Sequence, residues 1–422
     1  MKKVCILTYG CAANFADSEI MAGLLKEKGF EIVNNPKKCD LIILNTCIVK
    51  TPTENRMIHK IKELTRLGKP LIVAGCMPVV EKEIIEKINP KASLIGPYSI
   101  EKVVFAVEKT LKGKKIVLVE EKKLVKTCFP RLRKNPVIHI LTISQGCLSN
   151  CSYCVVKFAR GKLKSYPLEG IVKEAREAIK NGCKEIWITS QDNACYGKDI
   201  KTDLSELLNE ICKIEGKFLV RVGMMNPFHL KPILSKIIKA YKNPKIFKFL
   251  HLPVQSGSNR ILKLMKRGYK VKDFLSIVKK FRKEIPELTL STDIIVGFPT
   301  ETEKDFEKTL KLIEKVKPDI VNISKFGKRP KTEAGEMEQI DRKTINKRSK
   351  IISELVRKIS FEKNKKWIGW KGEVLIDEIK NFSEGRNFAY KPILIKEKLK
   401  LGSFVNVKVV KAKTNYLLGE KF

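Results

Sequence analysis

The segment SQGCLSNCSYC sets Cys147, Cys151 and Cys154 in a C-x3-C-x2-C array within one short loop. Three thiolates from one loop can hold three irons of a [4Fe–4S] cluster and leave the fourth iron open. An open iron can bind the amino and carboxylate groups of S-adenosylmethionine and pass an electron to its sulfonium. Such chemistry belongs to the cofactors, while the protein holds and orients them. A structural zinc site is the alternative reading. Zinc sites favour paired C-x2-C units and a fourth ligand, and no partner pair stands in this sequence.

A second set of cysteines is dispersed: Cys11 in TYGCAAN, Cys47 in LNTCIV and Cys76 in VAGCMP. Each follows the carboxyl end of an expected strand. In an open parallel sheet those ends converge on one edge, where ligands bind. The repeated placement argues that the three meet around a second cluster, although any one of them alone reads as a buried thiol. Cys5, Cys39, Cys128, Cys183, Cys195 and Cys212 lack ligand spacing and read as buried or incidental; Cys195 is the one nearest a functional loop. The chain has 12 Cys and only 4 His, too scattered for a histidine metal site.

These residues need a scaffold. Over residues 1–113, apolar runs at Val4–Thr8, Leu41–Asn45, Leu71–Ala74 and Ser93–Ile95 alternate with helical patterns near Asp17–Lys28, Pro52–Leu67, Val80–Ile88 and Ile100–Leu111. That order predicts a parallel α/β sandwich. The opening run MKKVCILTYG reads as its first strand rather than as a signal peptide. The Lys-rich stretch Lys112–Lys126 reads as a linker. Residues 133–360 repeat the theme, with strands expected at His139–Ser144, Glu185–Ser190, Phe218–Val222, Phe247–Leu252, Leu288–Val296 and Ile320–Ser324. Six β/α units predict a full or open parallel barrel, with chemistry at the carboxyl ends of its strands. Asp341–Lys366 reads as one long basic helix.

Residues 361–422 change character: Val374–Ile376, Pro392–Ile395 and Ser403–Val409 are β-branched or alternating, with Gly372, Gly385 and Gly402 as turn signals. They carry 14 Lys or Arg against 7 Asp or Glu, a net of +7. A small all-β, OB-like RNA-binding barrel fits that pattern. The whole chain has a formal net charge of +39, which suits a polyanionic partner; a Lys-rich composition is the blander account. No segment approaches the roughly 20 apolar residues of a membrane helix, and a cytoplasmic location is expected.

With Tyr153 before the third cysteine, C-x3-C-x-aromatic-C resembles the signature of the radical SAM superfamily. Taken with the dispersed triad and the β-module, the chain resembles the methylthiotransferase family: an N-terminal three-cysteine domain, a radical SAM (β/α)6 partial barrel and a C-terminal TRAM domain. ARGKLKSYP (Ala159–Pro167), HLPVQSGSNRILKLMKRGY (His251–Tyr269) and IIVGFPTETEKDF (Ile294–Phe306) extend the match. ISQGC, the ARG-x-L-x-SYP stretch and SQDNACYGKDI look most like the archaeal and eukaryotic branch. That branch converts N6-threonylcarbamoyladenosine, next to the tRNA anticodon at position 37, into its 2-methylthio form. Asn193, Thr300 and Met225 depart from that branch, standing where Thr, Gly and Thr are usual.

The resemblance implies two [4Fe–4S] clusters, S-adenosylmethionine, tRNA and an electron donor such as a ferredoxin or flavodoxin. Tyr153, Gln255, Ser256, Gly297 and Pro299 are candidate contacts to S-adenosylmethionine; each has turn or packing chemistry as its alternative. Asp192 and Tyr196 face cofactor or nucleoside, or else Asp192 caps its loop. Arg160 either grips a carboxylate or is a surface charge. Lys365, Lys366, Lys371, Arg386 and Lys408 are the expected phosphate contacts. Two rival functions stay open: a methylthiotransferase acting on a prenylated adenosine or a ribosomal protein, and a non-catalytic iron–sulfur RNA-binding or electron-transfer protein.

Overall fold

Three successive units follow one another in the computed structural model, which describes residues 1–121 and 124–422. The first is a parallel sheet of β1 (Lys3–Thr8), β2 (Glu31–Val33), β3 (Leu41–Thr46), β4 (Leu71–Gly75), β5 (Ser93–Ile95) and β6 (Val117–Leu118), in the order β2-β1-β3-β4-β5-β6. Alternate residues of β3 enter opposite cores: Ile42 and Leu44 on one face, Leu41 and Ile43 on the other. A strand covered on both faces reads as an unbroken apolar run, as Leu41–Asn45 does. Helix α1 (Ala12–Glu27) begins five residues earlier than its apolar pattern suggested. Its first turns bury Asn14, Asp17, Ser18 and Glu19, polar residues that mask the period. Helix α2 (Thr51–Thr65) follows β3.

The Lys-rich stretch is not a bare linker. It contributes β6 to the sheet, and Lys126 is buried against Asp17. Residues 122 and 123 lie outside the described residues.

The second unit contains six parallel strands: β7 (Ile138–Thr142), β10 (Glu185–Thr189), β11 (Leu219–Val222), β12 (Phe249–His251), β13 (Thr289–Val296) and β14 (Ile320–Lys325). A small antiparallel pair, β8 (Ser144–Gln145) with β9 (Lys164–Ser165), sits after the first of them. The strands form two sheets, β11-β10-β7 and β12-β13-β14. Backbone bonds such as Phe247 N–H to Val220 O (3.0 Å) join them edge to edge, while β7 and β14 do not pair among the described residues. The barrel is therefore open on that side, and α1 contacts β7 there. The outer helices use an apolar stripe: Ile171, Ala175 and Ala178 are the buried apolar residues of helix Leu168–Lys180.

Helix Arg342–Lys365 leads into the third unit. It is a closed barrel of β15 (Lys371–Ile379), β16 (Ser383–Arg386), β17 (Pro392–Ile395), β19 (Leu417–Lys421) and β18 (Phe404–Ala412), in that order. Val374, Ile376, Ile393, Ile395, Val407 and Val409 fill it from alternate strand positions. Among the described residues no helix is long and apolar enough to cross a membrane.

Candidate functional site

The loop triad leaves the end of β7 through a turn that only glycine permits. Gly146 has φ +78°, and a Cβ there would lie 1.9 Å from Lys162 O. Beyond it, each sulfur meets protein donors. Ser149 N–H donates to Cys147 Sγ at 3.3 Å, and the buried Arg267 guanidinium donates to Cys151 Sγ at 3.2 Å. The backbone N–H groups of Val156 and Lys157 face Cys154, although burial pushes that thiol up to about 11. Cys147 is drawn down to about 7 by a hydrogen bond from Cys195, against burial. N–H groups and a guanidinium placed on the sulfurs can offset the charge of metal-bound thiolates, so this donor set fits an iron–sulfur cluster.

The sheet triad is assembled at the switch in strand order between β1 and β3, where open α/β sheets bind ligands. Cys11 precedes α1, Cys47 follows β3 and Cys76 follows β4. Cys47 and Cys76 are buried; Cys11 is exposed. A polar staple ties the strand ends together. Asn14 Nδ2 donates to Asn45 Oδ1 (3.2 Å) and Thr46 O (2.8 Å), and Asn45 Nδ2 donates to Asn14 O (2.8 Å). Gly10 makes room for the sulfur: at φ +127°, its Cβ would lie 2.6 Å from Cys47 Cβ and 3.2 Å from Cys47 Sγ. Burial, with Cys76 beside it, pushes Cys47 up to about 12. Burial also raises Cys76, opposed by Arg160. The buried Cys47 and Cys76 thiols hold their protons more tightly than usual until a metal group takes them as thiolates.

Arg160 links the two triads. It lies on helix Val156–Arg160, directly after the loop triad, and is 2% exposed. Its Nη1 pairs with Asp17 Oδ2 at 3.0 Å, and Lys126 reaches the other Asp17 oxygen. Two cations around one carboxylate leave surplus positive charge beside Cys76, a setting that favours thiolate ligands. The open choice for Arg160 is thereby decided: it grips a carboxylate and is no surface charge.

A cavity of about 390 Å3 opens beside Cys154 of the loop triad. Tyr153, Cys154, His251, Gln255 and Asp293 line it from the barrel side; Val49, Lys50 and Thr51, just after Cys47, line it from the sheet side. Asp293 accepts from Asn322 Nδ2 at 2.8 Å and meets His251 Nε2 at 3.0 Å. Burial works against its charge, yet these bonds hold the carboxyl below its ordinary range. Gln255 has φ +70°, a strained conformation for a non-glycine residue. Tyr153 packs edge-on against Phe298, centroids 6.4 Å apart.

Other expected residues lie elsewhere. Ser256 is buried behind the cavity, against Thr309 and Ser258. Close ligand approach is not what Gly297 serves, because the space its Cβ would take is filled by Ile345, 2.4 Å away. Pro299 is buried beside it. Asp192 caps its own loop, accepting from Ala194 N–H at 3.1 Å, and Tyr196 donates to Tyr166 O. Thr300 has φ +64°, which explains why glycine suits that position. Lys365 and Lys366, at the end of the helix leading into the C-terminal barrel, and Lys371 and Lys408, on its strands, are exposed. Arg386 is not free in the same way: it pairs with Asp377 (3.2 Å) and Glu384 (2.8 Å) and lies over Tyr390. Arg267 and Cys195 were missed as site residues. Arg267 stands inside the LMKRGY match, the one signal that pointed to it; Cys195 lies, with Asp192, within 4.8 Å of Cys147 Sγ.

Comparison with known proteins gives three matches along the chain: the radical SAM superfamily over residues 141–313, an uncharacterized protein family, UPF0004, over residues 3–96, and the TRAM domain over residues 365–422. A probable threonylcarbamoyladenosine tRNA methylthiotransferase of Pyrococcus horikoshii is 45% identical over 425 residues, 100% of this chain and 99% of the relative. The threonylcarbamoyladenosine tRNA methylthiotransferase of Xenopus laevis is 38% identical, covering 99% of this chain and 77% of the relative. Among solved structures, the radical S-adenosylmethionine methyltransferase TsrM of Kitasatospora setae superposes with a TM-score of 0.58 at 14% identity, over 79% of this chain and 75% of its own. At that identity the likeness is one of fold.

Proposed function

The chain belongs to the threonylcarbamoyladenosine tRNA methylthiotransferase family, and from that premise we propose that it converts N6-threonylcarbamoyladenosine at position 37 of tRNA into 2-methylthio-N6-threonylcarbamoyladenosine. The observation that carries the reading is the cavity lined by Cys154 of the loop triad and by Val49, Lys50 and Thr51, the residues just after Cys47 of the sheet triad. In this reading, residues 1–113 hold an auxiliary [4Fe–4S] cluster on Cys11, Cys47 and Cys76. Residues 133–360 hold a second on Cys147, Cys151 and Cys154, and residues 361–422 bind RNA. When bound, these cofactors supply radical cleavage of S-adenosylmethionine, strong enough to break the unactivated C2–H bond of adenine, and the sulfur to be inserted.

The protein's own work is positional. Arg267 and the Ser149 N–H neutralise charge on the loop sulfurs, and Arg160 does so beside the sheet triad. Tyr153 and Gln255 wall the space for S-adenosylmethionine, with Ser256, Gly297 and Pro299 shaping the loops behind them. Asp293, held by His251 and Asn322, offers a fixed acceptor for a hydroxyl or amine. Walls that exclude water strengthen each of these polar contacts.

RNA binding falls to the C-terminal barrel. Lys371 and Lys408 stand directly opposite each other on β15 and β18. Like charges in register repel, and a phosphate between them reverses the sign. Lys365 and Lys366, exposed at the end of the preceding helix, are further phosphate contacts in this reading. A tRNA substrate supports a cytoplasmic location, and the two-cluster chemistry calls for an electron donor such as a ferredoxin or flavodoxin.

The test is mass spectrometry of tRNA nucleosides from cells with and without the gene. The proposal expects 2-methylthio-N6-threonylcarbamoyladenosine to vanish and its unthiolated precursor to accumulate. An unchanged nucleoside profile rejects it.

A further inference from the structure

One end of the cavity is finished by residues that the chemistry above does not use. Helix α2 starts there, and its N-cap, Lys50, makes no side-chain cap. The first N–H groups of a helix attract negative charge. Arg329 lines the same end and is 3% exposed. Its Nη1 pairs with Glu54, while Nε and Nη2 are buried without a partner among the described residues. Those two nitrogens form one edge of the guanidinium, the fork that takes a carboxylate through two parallel bonds. Thr51 Oγ1 is likewise buried and unpartnered. Lys50 and Lys325, both exposed, stand on the rim of the same cavity.

The site is built from two units of the chain. Gly327, after β14, lies so close to α2 that a Cβ on it would come within 2.2 Å of Thr51 Oγ1. The acids at this end are Glu54, which pairs with Arg329, and the buried Glu81 beside both, pushed up to about 8 by burial and by Glu54; Lys50 also lies near Asp293, which His251 and Asn322 engage. A surplus of cations, a free guanidinium edge and a helix N-terminus together describe a receptor for a planar anion.

We infer that this end of the cavity binds the carboxylate that the threonylcarbamoyl group adds to adenosine, with Arg329 as the fork and Lys50 and Lys325 as the flanking charges. The inference rests on the function proposed above. It makes the site a specificity device: unmodified and prenylated adenosines carry no carboxylate and leave the fork empty. Two carboxylates could compete for it, that of the nucleoside and that of S-adenosylmethionine, and the experiment separates them.

Reconstituted holoenzyme is titrated with anticodon stem-loop RNA carrying threonylcarbamoyladenosine, and with the same RNA carrying the carboxamide in place of the acid. Charge-assisted bonds of this type contribute about tenfold or more in affinity, so the wild-type protein should bind the acid at least about tenfold tighter. Arg329→Gln and Lys325→Met should each bring that ratio towards one. Lys325 is exposed, so its variant keeps the test open if loss of Arg329 disturbs folding. A wild-type ratio near one overturns the inference. So do variants that keep the ratio while weakening S-adenosylmethionine, since the carboxylate recognised would then be the cofactor's. The function itself is read separately, from the methylthio product that the wild-type protein makes on the acid RNA. Failure there with the ratio intact rejects the reaction and leaves the carboxylate site standing.

Discussion

The two cysteine triads are built in opposite ways. Cys147, Cys151 and Cys154 come from a single loop, and their spacing is a local property of the chain. Cys11, Cys47 and Cys76 come from three strand ends and meet only because β1, β3 and β4 are neighbours in a parallel sheet. The loop triad therefore depends on one turn, whereas the sheet triad depends on the whole first unit being folded. The two also differ in surroundings. The loop sulfurs receive protein donors one by one, while the sheet triad shares one buried charge cluster of Asp17, Arg160 and Lys126.

That contrast can be broken most sharply at two glycines. Gly146→Ala should disable the loop triad, because the new Cβ meets Lys162 O in a left-handed backbone. Reductive cleavage of S-adenosylmethionine should fall by about 10³-fold or more, read from 5′-deoxyadenosine by chromatography. Gly10→Ala should instead cost only the sheet triad, reducing bound iron by about four atoms per chain while cleavage persists. Iron analysis of the two purified variants checks the division; equal iron loss with equal loss of cleavage would contradict it.

Removing residues 361–422 should weaken tRNA binding and flatten its dependence on salt, since each phosphate contact contributes to the slope of affinity against ionic strength. Filter binding at several salt concentrations measures this, and an unchanged slope would move the RNA site to another unit. A smaller effect is expected at the staple of the sheet triad. Asn14→Ala leaves the buried Asn45 and Thr46 groups without their partner, a cost of about 1–3 kcal/mol. A lowered Tm by calorimetry, with the loop triad still loaded, would fit the contrast.

A pH-dependent effect is expected at the seam between the second and third units. Burial, with Asp377 nearby, pushes the Glu185 carboxyl from 4.5 up to about 8. Between those values the folded chain holds a proton that the unfolded chain has released. Stability therefore falls as pH rises from about 4.5 to about 8. Glu185→Gln should flatten that decline in Tm, and an unaltered pH profile would show that the carboxyl does not titrate there.

Much of this was legible beforehand, for a physical reason. Periodicity located the long barrel helices, and Leu168–Lys180 begins and ends where its apolar stripe does. It failed for β2 and β6, short strands whose residues are only partly buried, whereas the equally short β5 is fully buried and was located. The loop triad was readable as spacing, and the sheet triad as one residue type repeated at strand ends. What stayed hidden was pairing across the fold. Nothing local says that Arg386 is taken up by Asp377 and Glu384, that Cys195 adjoins Cys147, or that Arg329 is buried against Glu54 with two nitrogens left unpartnered.

The most direct measurement follows both halves of the reaction in one vessel, with reconstituted wild-type, Cys147→Ala and Cys11→Ala proteins on threonylcarbamoyladenosine-containing tRNA. The account predicts that Cys147→Ala forms neither 5′-deoxyadenosine nor the 2-methylthio nucleoside. Cys11→Ala should still form 5′-deoxyadenosine and make no methylthio product. Methylthio product from Cys11→Ala at the wild-type level, or loss of 5′-deoxyadenosine in both variants alike, would contradict the assignment of separate roles to the two triads.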